Sequence, residues 1–168
     1  MGKILQIGAG WICDTCERPI LTVADGWVEW LASEDEHGAT KVTGLRLVHR
    51  RDASPRWPIP HGCQYNDRQE LKKNQSIVEG LPLDRFTGPD GLVLLLSLIA
   101  EHELPTHELL ELVKRVQVPG YEDARELFED AIAEGVVTPS IAEGYYLQCE
   151  IHDVLQWAAQ AQPSRRSA

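Results

Sequence analysis

The sequence predicts an α+β protein in which a small β-rich module precedes a mainly α-helical one. Cys13 and Cys16 form a C-x-x-C pair, and Cys63 lies some fifty residues downstream. Beyond residue 90 the apolar pattern changes from a period of two to a period of 3.6, which is typical of helices. Residues 1–75 carry ten basic and ten acidic residues, whereas residues 76–168 carry six and sixteen, so the whole net charge of −10 belongs to the second part. Such an asymmetry indicates two different functional surfaces.

The first module is predicted to contain a hairpin and an irregular return loop. Residues 3–7 favour a short strand, and residues 26–31 and 45–49 alternate between apolar and polar side chains, as half-buried strands do. The polar segment between the two alternating runs is predicted to be a long hairpin loop. Residues 50–66 contain three prolines, which block regular structure, and a short helix is expected over residues 69–79.

The second module is predicted to be helical and to begin after a segment rich in proline and glycine. The predicted boundaries are a metal-binding β-rich module over 1–75, a linker over 76–90, a helical module over 91–162 and a disordered tail over 163–168. Within the helical module, a helix that is apolar on nearly every side is expected to be central and buried. The predicted elements are helices at 91–101, 105–117 and 121–134, a small hairpin at 136–138 and 145–147, and a last helix at 151–160.

The cysteines and histidines of the first module predict one structural zinc site. A tetrahedral site needs four ligands, and thiolate and imidazole are preferred. Cys13, Cys16 and Cys63 supply three, and the fourth is His49 or His61. We favour His49, because the hairpin would return the end of its strand to the C-x-x-C turn, whereas His61 is only two residues from Cys63. The cofactor expected is therefore structural Zn²⁺.

Two resemblances follow from these patterns. The ligand order and the hairpin over residues 11–66 resemble the zinc-ribbon and treble-clef group of zinc fingers. Three helices followed by a small hairpin in the second module are similar to the winged-helix arrangement. The outer face of its third helix is strongly acidic, however, and carboxylates next to a polyanion are repulsive. We expect this face to bind a protein partner, through Glu122, Asp123, Glu126, Glu129 and Asp130.

A locally basic strip in the first module offers a second binding surface. Trp57 and Tyr65 are interleaved with its charges and are able to stack on bases. The alternatives are that these charges solvate an irregular loop or contact the acidic second module of the same chain. The strip, which would contact nucleic acid or an acidic partner, comprises Arg46, Arg50, Arg51, Arg56, Arg68, Lys72 and Lys73.

These observations predict a non-enzymatic, zinc-binding interaction or regulatory protein that binds a protein partner through its acidic helical module. The first alternative is a nucleic-acid-binding regulator that uses the basic strip and dimerises through its helices. The second is a metal-dependent nuclease built on His49, His61 and Asn66, which a closed structural zinc site disfavours. The longest apolar run, from Leu92 to Ala100, has nine residues and is interrupted only by Ser97, against roughly 20 residues for a bilayer span. We expect a cytoplasmic protein with no membrane partner, and a homo-oligomer is left open.

Overall fold

The structure, a computed structural model, describes residues 10–56, 62–101 and 104–161. These residues form two compact units, Gly10–Gln117 and the residues from Val118 onward, and each unit is described by itself. Small antiparallel sheets and helices occur together, which confirms the α+β class. The predicted strand at residues 3–7 and the predicted tail at 163–168 lie outside the described residues.

A three-stranded antiparallel sheet organises the first unit. Its strands are β3 (Gly26–Glu34), β4 (Thr40–His49) and β5 (Ile77–Pro82), and β3 is central. The hairpin of β3 and β4 was predicted, but both strands extend into the segment predicted as a loop. The register shifts between Glu29 and Leu31, where Gly44 of β4 adopts a positive φ of 68°. The register shift is of the β-bulge type, in which one strand carries an extra residue relative to its partner.

Strand β5 lies inside the segment that the sequence predicted to be a linker, 76–90. It pairs with β3 from Ala32↔Ile77 to Trp27↔Pro82. The compact units divide between Gln117 and Val118 instead. The physical reason is that β3, with a large apolar content, would otherwise leave one edge of backbone groups unpaired. The prolines and glycines of residues 80–91 mark the end of β5 and the start of a helix rather than a flexible connection.

Two further short elements complete the β-rich part of this unit. Strands β1 (Trp11–Ile12) and β2 (Pro19–Ile20) pair in antiparallel fashion and bracket the C-x-x-C turn. Helix α1 (Asp67–Asn74) begins where the Asn66 side chain accepts a hydrogen bond from the backbone N–H of Gln69. It is shorter than the predicted helix at 69–79, because the chain turns at Gln75 to enter β5.

Helices α2 (Gly88–Ala100) and α3 (Thr106–Gln117) belong to the first unit and pack on its sheet. The Gln117 side chain donates to the carbonyl oxygens of Phe86 and Gly88 and so links the end of α3 to the start of α2. The prediction that this helix, apolar on nearly every side, is central and buried was wrong. One face carries buried Leu95 and Leu98, but the opposite face exposes Leu92, Val93 and Leu96.

The second unit contains α4 (Tyr121–Ala124), α5 (Phe128–Ala133) and α6 (Gln148–Ala161) around its own apolar core. The single helix predicted at 121–134 is broken after Ala124. The segments 136–138 and 145–147, both described, form no strands, so the hairpin expected from the winged-helix resemblance is not formed. Instead, the Tyr146 ring stacks on Phe128 at a centroid separation of 3.6 Å. None of the helices in the described ranges is long and apolar enough to cross a membrane.

Candidate metal centre

Four of the predicted metal ligands converge in the first unit. The ligand atoms of Cys13, Cys16, His49 and Cys63 all lie within 4.8 Å of one another. His49 Nδ1 is 3.4 Å from Cys16 Sγ and 3.7 Å from Cys63 Sγ. A tetrahedral ion with metal–sulfur bonds of about 2.3 Å and a metal–nitrogen bond of about 2.0 Å separates sulfur and nitrogen by about 3.5 Å. The group therefore has the size needed to hold one metal ion.

His49 is oriented for metal binding by its second ring nitrogen. Its Nε2 lies 3.2 Å from the carbonyl oxygen of Pro19. Because a carbonyl oxygen only accepts, Nε2 carries the proton and donates, which leaves the lone pair of Nδ1 directed at the two thiols. The β2 strand thus fixes the tautomer that a metal ligand requires.

The C-x-x-C turn is held by its own backbone. The N–H of Cys13 donates to the Arg18 carbonyl at 3.0 Å, and the N–H of Glu17 donates to the Cys13 carbonyl at 2.9 Å. Glu17 takes a left-handed backbone with a φ of 56°. This tight turn brings the two sulfur atoms to the same side of the chain.

The last ligand is held in place by three side chains. Thr15 Oγ1 donates to the Cys63 carbonyl at 2.8 Å, and Arg46 Nη2 donates to the same oxygen at 3.2 Å. The Cys63 N–H donates to Ser54 Oγ at 3.1 Å. Since these contacts come from the C-x-x-C turn, from β4 and from the following loop, the position of Cys63 is set by all the segments that bear the other ligands.

A helix also supports the C-x-x-C turn. Arg115 of α3, whose side chain is 6% exposed, donates through Nη1 to both carboxylate oxygens of Asp14, at 2.8 and 2.9 Å. Its Nη2 donates to the carbonyl oxygen of Ile12 at 2.7 Å. Asp14 in turn accepts the N–H of Leu47 at 2.7 Å. One guanidinium therefore connects the helical layer to the turn and, through Asp14, to β4.

Two of the thiols, those of Cys16 and Cys63, are poor acids without a metal. Burial, followed by the nearby Cys13, raises the pKa of the Cys63 thiol to about 12. Burial also raises the pKa of the Cys16 thiol. Metal binding must therefore displace protons from sulfur, so affinity for a thiolate-binding metal should increase with pH.

The buried arrangement limits what the centre can do chemically. Cys13 and Cys63 are completely buried and His49 is 6% exposed. Four protein ligands fill a tetrahedral shell and leave no position for a reacting water molecule. His61, the alternative fourth ligand, lies outside the described residues. Asn66, assigned to the nuclease alternative, uses its side-chain oxygen to begin α1.

The structure distributes the predicted basic strip over several environments. The Arg46 guanidinium is paired within the first unit. It lies 2.7 Å from Glu29 Oε1 and 3.4 Å over the centre of the Tyr65 ring. Arg50 forms an exposed ion pair with Asp52 at 3.5 Å. The remaining members of the strip are exposed, namely Arg51, Arg56, Arg68, Lys72 and Lys73.

The predicted acidic face of the second unit is only partly available. Glu122 is buried and pairs with Arg125 at 3.2 Å, and Asp123 is half-buried. Glu126, Glu129 and Asp130 are exposed. The break between α4 and α5 separates the first two carboxylates from the last two.

Sequence reasoning did not find Arg115 or Glu29. Arg115 follows buried Leu112 by one helical turn, so its charge falls at the edge of the inward stripe of α3. Glu29 stands between Trp27 and Leu31 on one predicted strand face and is 1% exposed. A charge within an apolar face was the available signal in both cases.

Comparisons with protein-family models, with curated proteins and with solved structures find no match to this chain.

Proposed function

We propose that this chain is a non-enzymatic zinc-binding protein with a regulatory role, which binds a partner protein through its C-terminal helical unit. The observation that carries the proposal is the buried cluster of three cysteines and one histidine in the first unit. Thiolate and imidazole donors favour Zn²⁺ among common cellular metals, whereas Mg²⁺ and Ca²⁺ prefer oxygen. When bound, zinc would cross-link the C-x-x-C turn, β4 and the loop before α1.

The closed ligand set supports a structural rather than a catalytic metal. Each of the four donors is held by backbone or side-chain contacts, and a catalytic zinc site keeps one position for water or substrate. The nuclease alternative is also disfavoured, because the side-chain oxygen of Asn66 accepts the Gln69 N–H at the start of α1. Function is therefore sought on the surfaces that the metal-stabilised fold presents.

The exposed carboxylates of the second unit favour a basic partner surface. Glu126, Glu129 and Asp130 are exposed in the region of α4 and α5, where Arg125 lies 3.4 Å from Glu126. Complementary charge accelerates the encounter of two proteins and orients it. A nucleic acid would be repelled by this surface.

The metal assignment is tested by elemental analysis of purified protein. We expect one zinc per chain, and Cys13→Ser should reduce that ratio to near zero and destabilise the first unit. Cys149→Ser is the matched control, because Cys149 is exposed and lies outside the cluster. A wild-type protein without zinc, or a Cys13→Ser protein with unchanged zinc content and melting curve, would overturn the assignment.

The partner assignment is tested by affinity capture from nuclease-treated lysate, followed by reconstitution with the purified partner. Charge reversal at Glu126, Glu129 and Asp130 to Lys should weaken the reconstituted complex and reduce its salt dependence. The matched control reverses exposed Glu34, the last residue of β3, and exposed Glu36 in the loop that follows it. Equal weakening by both variants, or capture that depends on nucleic acid, would contradict binding through the helical unit.

A further inference from the structure

Glu29 of the central strand β3 is a buried carboxylate that is not one of the four metal ligands. It is 1% exposed. Its Oε1 atom accepts a hydrogen bond from Arg46 Nε at 2.8 Å and lies 2.7 Å from Arg46 Nη2. Its Oε2 atom is shielded from water and accepts no hydrogen bond from the described residues. Because desolvation opposes the attraction within a buried ion pair, stability alone does not account for a charge at this position.

Both partners of this ion pair contact the segment of chain that carries the last metal ligand. Arg46 Nη2 donates to the carbonyl oxygen of Cys63 at 3.2 Å. Glu29 Oε1 accepts the N–H of Tyr65, two residues further along the chain, at 2.9 Å. The Arg46 guanidinium also lies 3.4 Å from the centre of the Tyr65 ring. The ion pair therefore fixes the backbone on both sides of the Cys63 side chain to β3 and β4 through contacts that do not involve a metal.

The four ligands differ in their access to solvent. Cys13 and Cys63 are completely buried and His49 is 6% exposed, whereas Cys16 is partly exposed. A chelator in solution therefore reaches the metal from the side of Cys16. Release of the ion is complete only when the buried Cys63 sulfur has also separated from it. A Cys63 that is held in position recaptures the ion, which slows its net release.

We propose that Glu29 is a positioning residue of the metal centre, which acts through Arg46 to hold Cys63 in place and thereby slows release of the metal. Partners outside the ligand shell that orient a ligand change metal affinity by about 10–100-fold. Arg46 suits this role, because its planar guanidinium reaches Glu29 and the Cys63 carbonyl together, whereas a lysine would keep the charge and lose the fork. This inference rests on the proposed zinc binding and adds what controls retention of the ion.

Release is measured by mixing the zinc-loaded full chain with an excess of a colorimetric zinc chelator. Arg46→Lys keeps a cation beside Glu29 but should release zinc at least tenfold faster than the wild type, because the hold on Cys63 is lost. Glu29→Gln keeps an oxygen for the Tyr65 N–H and removes the charge that orients Arg46, so it should accelerate release to a similar extent. The double variant should release zinc no faster than the faster single variant. If the two accelerations multiply instead, Glu29 does not act through Arg46 and the proposal is wrong.

Two control variants separate positioning from a general loss of stability or charge. Leu95→Ala removes a completely buried side chain of α2 in the same unit, and urea unfolding ranks its loss of stability against that of Glu29→Gln. Glu79→Gln removes an exposed carboxylate of the neighbouring strand β5, which accepts a hydrogen bond from Trp30 Nε1 at 2.9 Å. Both variants should release zinc at close to the wild-type rate. If Leu95→Ala accelerates release as much as Glu29→Gln for the same loss of stability, the role of Glu29 is merely structural and the proposal is overturned.

The outcomes also distinguish this proposal from the metal assignment on which it rests. A wild-type protein that contains no zinc in elemental analysis overturns both. One zinc per chain, with wild-type release rates in Arg46→Lys and Glu29→Gln, overturns the positioning role alone. If Glu29→Gln does not fold, the comparison of Arg46→Lys with the wild type decides, because that variant retains the charge opposite the buried carboxylate.

Discussion

Replacing Arg115 by methionine is expected to destabilise the first unit strongly. The substitution keeps the apolar stem but removes the guanidinium that donates to Asp14 and to the Ile12 carbonyl. Removing one partner of a fully buried ion pair costs about 3–5 kcal/mol, whereas an exposed pair contributes about 0–1 kcal/mol. Arg115 is 6% exposed and Asp14 is 26% exposed, so we expect an intermediate loss of about 2–3 kcal/mol.

The assay is urea unfolding of the zinc-containing protein, followed by the fluorescence of Trp27 and Trp30, which belong to the sheet of this unit. In thermal unfolding, the same loss of unfolding free energy would lower the melting temperature of a unit of this size by about 10 °C. Lys114→Met is the matched control, since Lys114 pairs with Glu111 one turn earlier, at 2.6 Å. Such helical pairs contribute about 0.2–0.5 kcal/mol. If the two variants lose the same stability, the connection from α3 to the C-x-x-C turn is not a stabilising one.

Three further outcomes are expected. His49→Ala should abolish stoichiometric zinc binding while His61→Ala retains it, and elemental analysis that gives the reverse would make His61 the fourth ligand. Gly44→Ala should lower the free energy of unfolding in urea by about 1–2 kcal/mol, because the left-handed backbone at this position disfavours a Cβ. The new methyl group would also lie 2.7 Å from Tyr65 Oη. An unchanged urea midpoint would refute this prediction. Hydrogen bonds from Leu147 and Ser140 hold the pKa of Glu150 below its ordinary value. The ionised carboxylate therefore stabilises the folded state above the pKa of the unfolded chain, and this stabilisation is lost as pH falls through the pKa of the folded protein. Glu150→Gln should destabilise the second unit at pH 7 and progressively less in acid, and a constant difference in unfolding free energy across that range would argue against this.

The metal ligands were predictable because the chemistry of each residue type is local. Three cysteines and a histidine at the end of an alternating strand predict a common site once the strand is placed in a hairpin. His49 was preferred over His61 on this basis, and within the described residues, which do not include His61, His49 lies with the cysteines. The strand placement itself came from alternation around Trp27 and Leu47, which is a strong signal over a few residues.

The boundary between the units was not predictable in the same way. Residues 77–82 contain a glycine and a proline, and their pairing with β3 depends on a partner strand some fifty residues earlier in the chain. Local composition carries no information on such a contact. Arg115 shows the same limitation, because its acceptor Asp14 is separated from it by 101 positions. The helical period over residues 121–134 was correct, but the segment is divided into α4 and α5, and Tyr121 and Phe128 from the two helices both pack in the second core.

The order of the ligands along the chain has a consequence for how this protein assembles during synthesis. Cys63 completes the metal shell before β5 is made, whereas the central strand β3 obtains its second neighbour only when Pro82 has emerged. A zinc ion can therefore close the β3–β4 hairpin against the C-x-x-C turn on a nascent chain whose sheet still has an open edge. With zinc as the proposed metal, chains made under zinc limitation would expose that edge with neither cross-link nor partner strand, and aggregation during translation is the outcome that the proposal predicts.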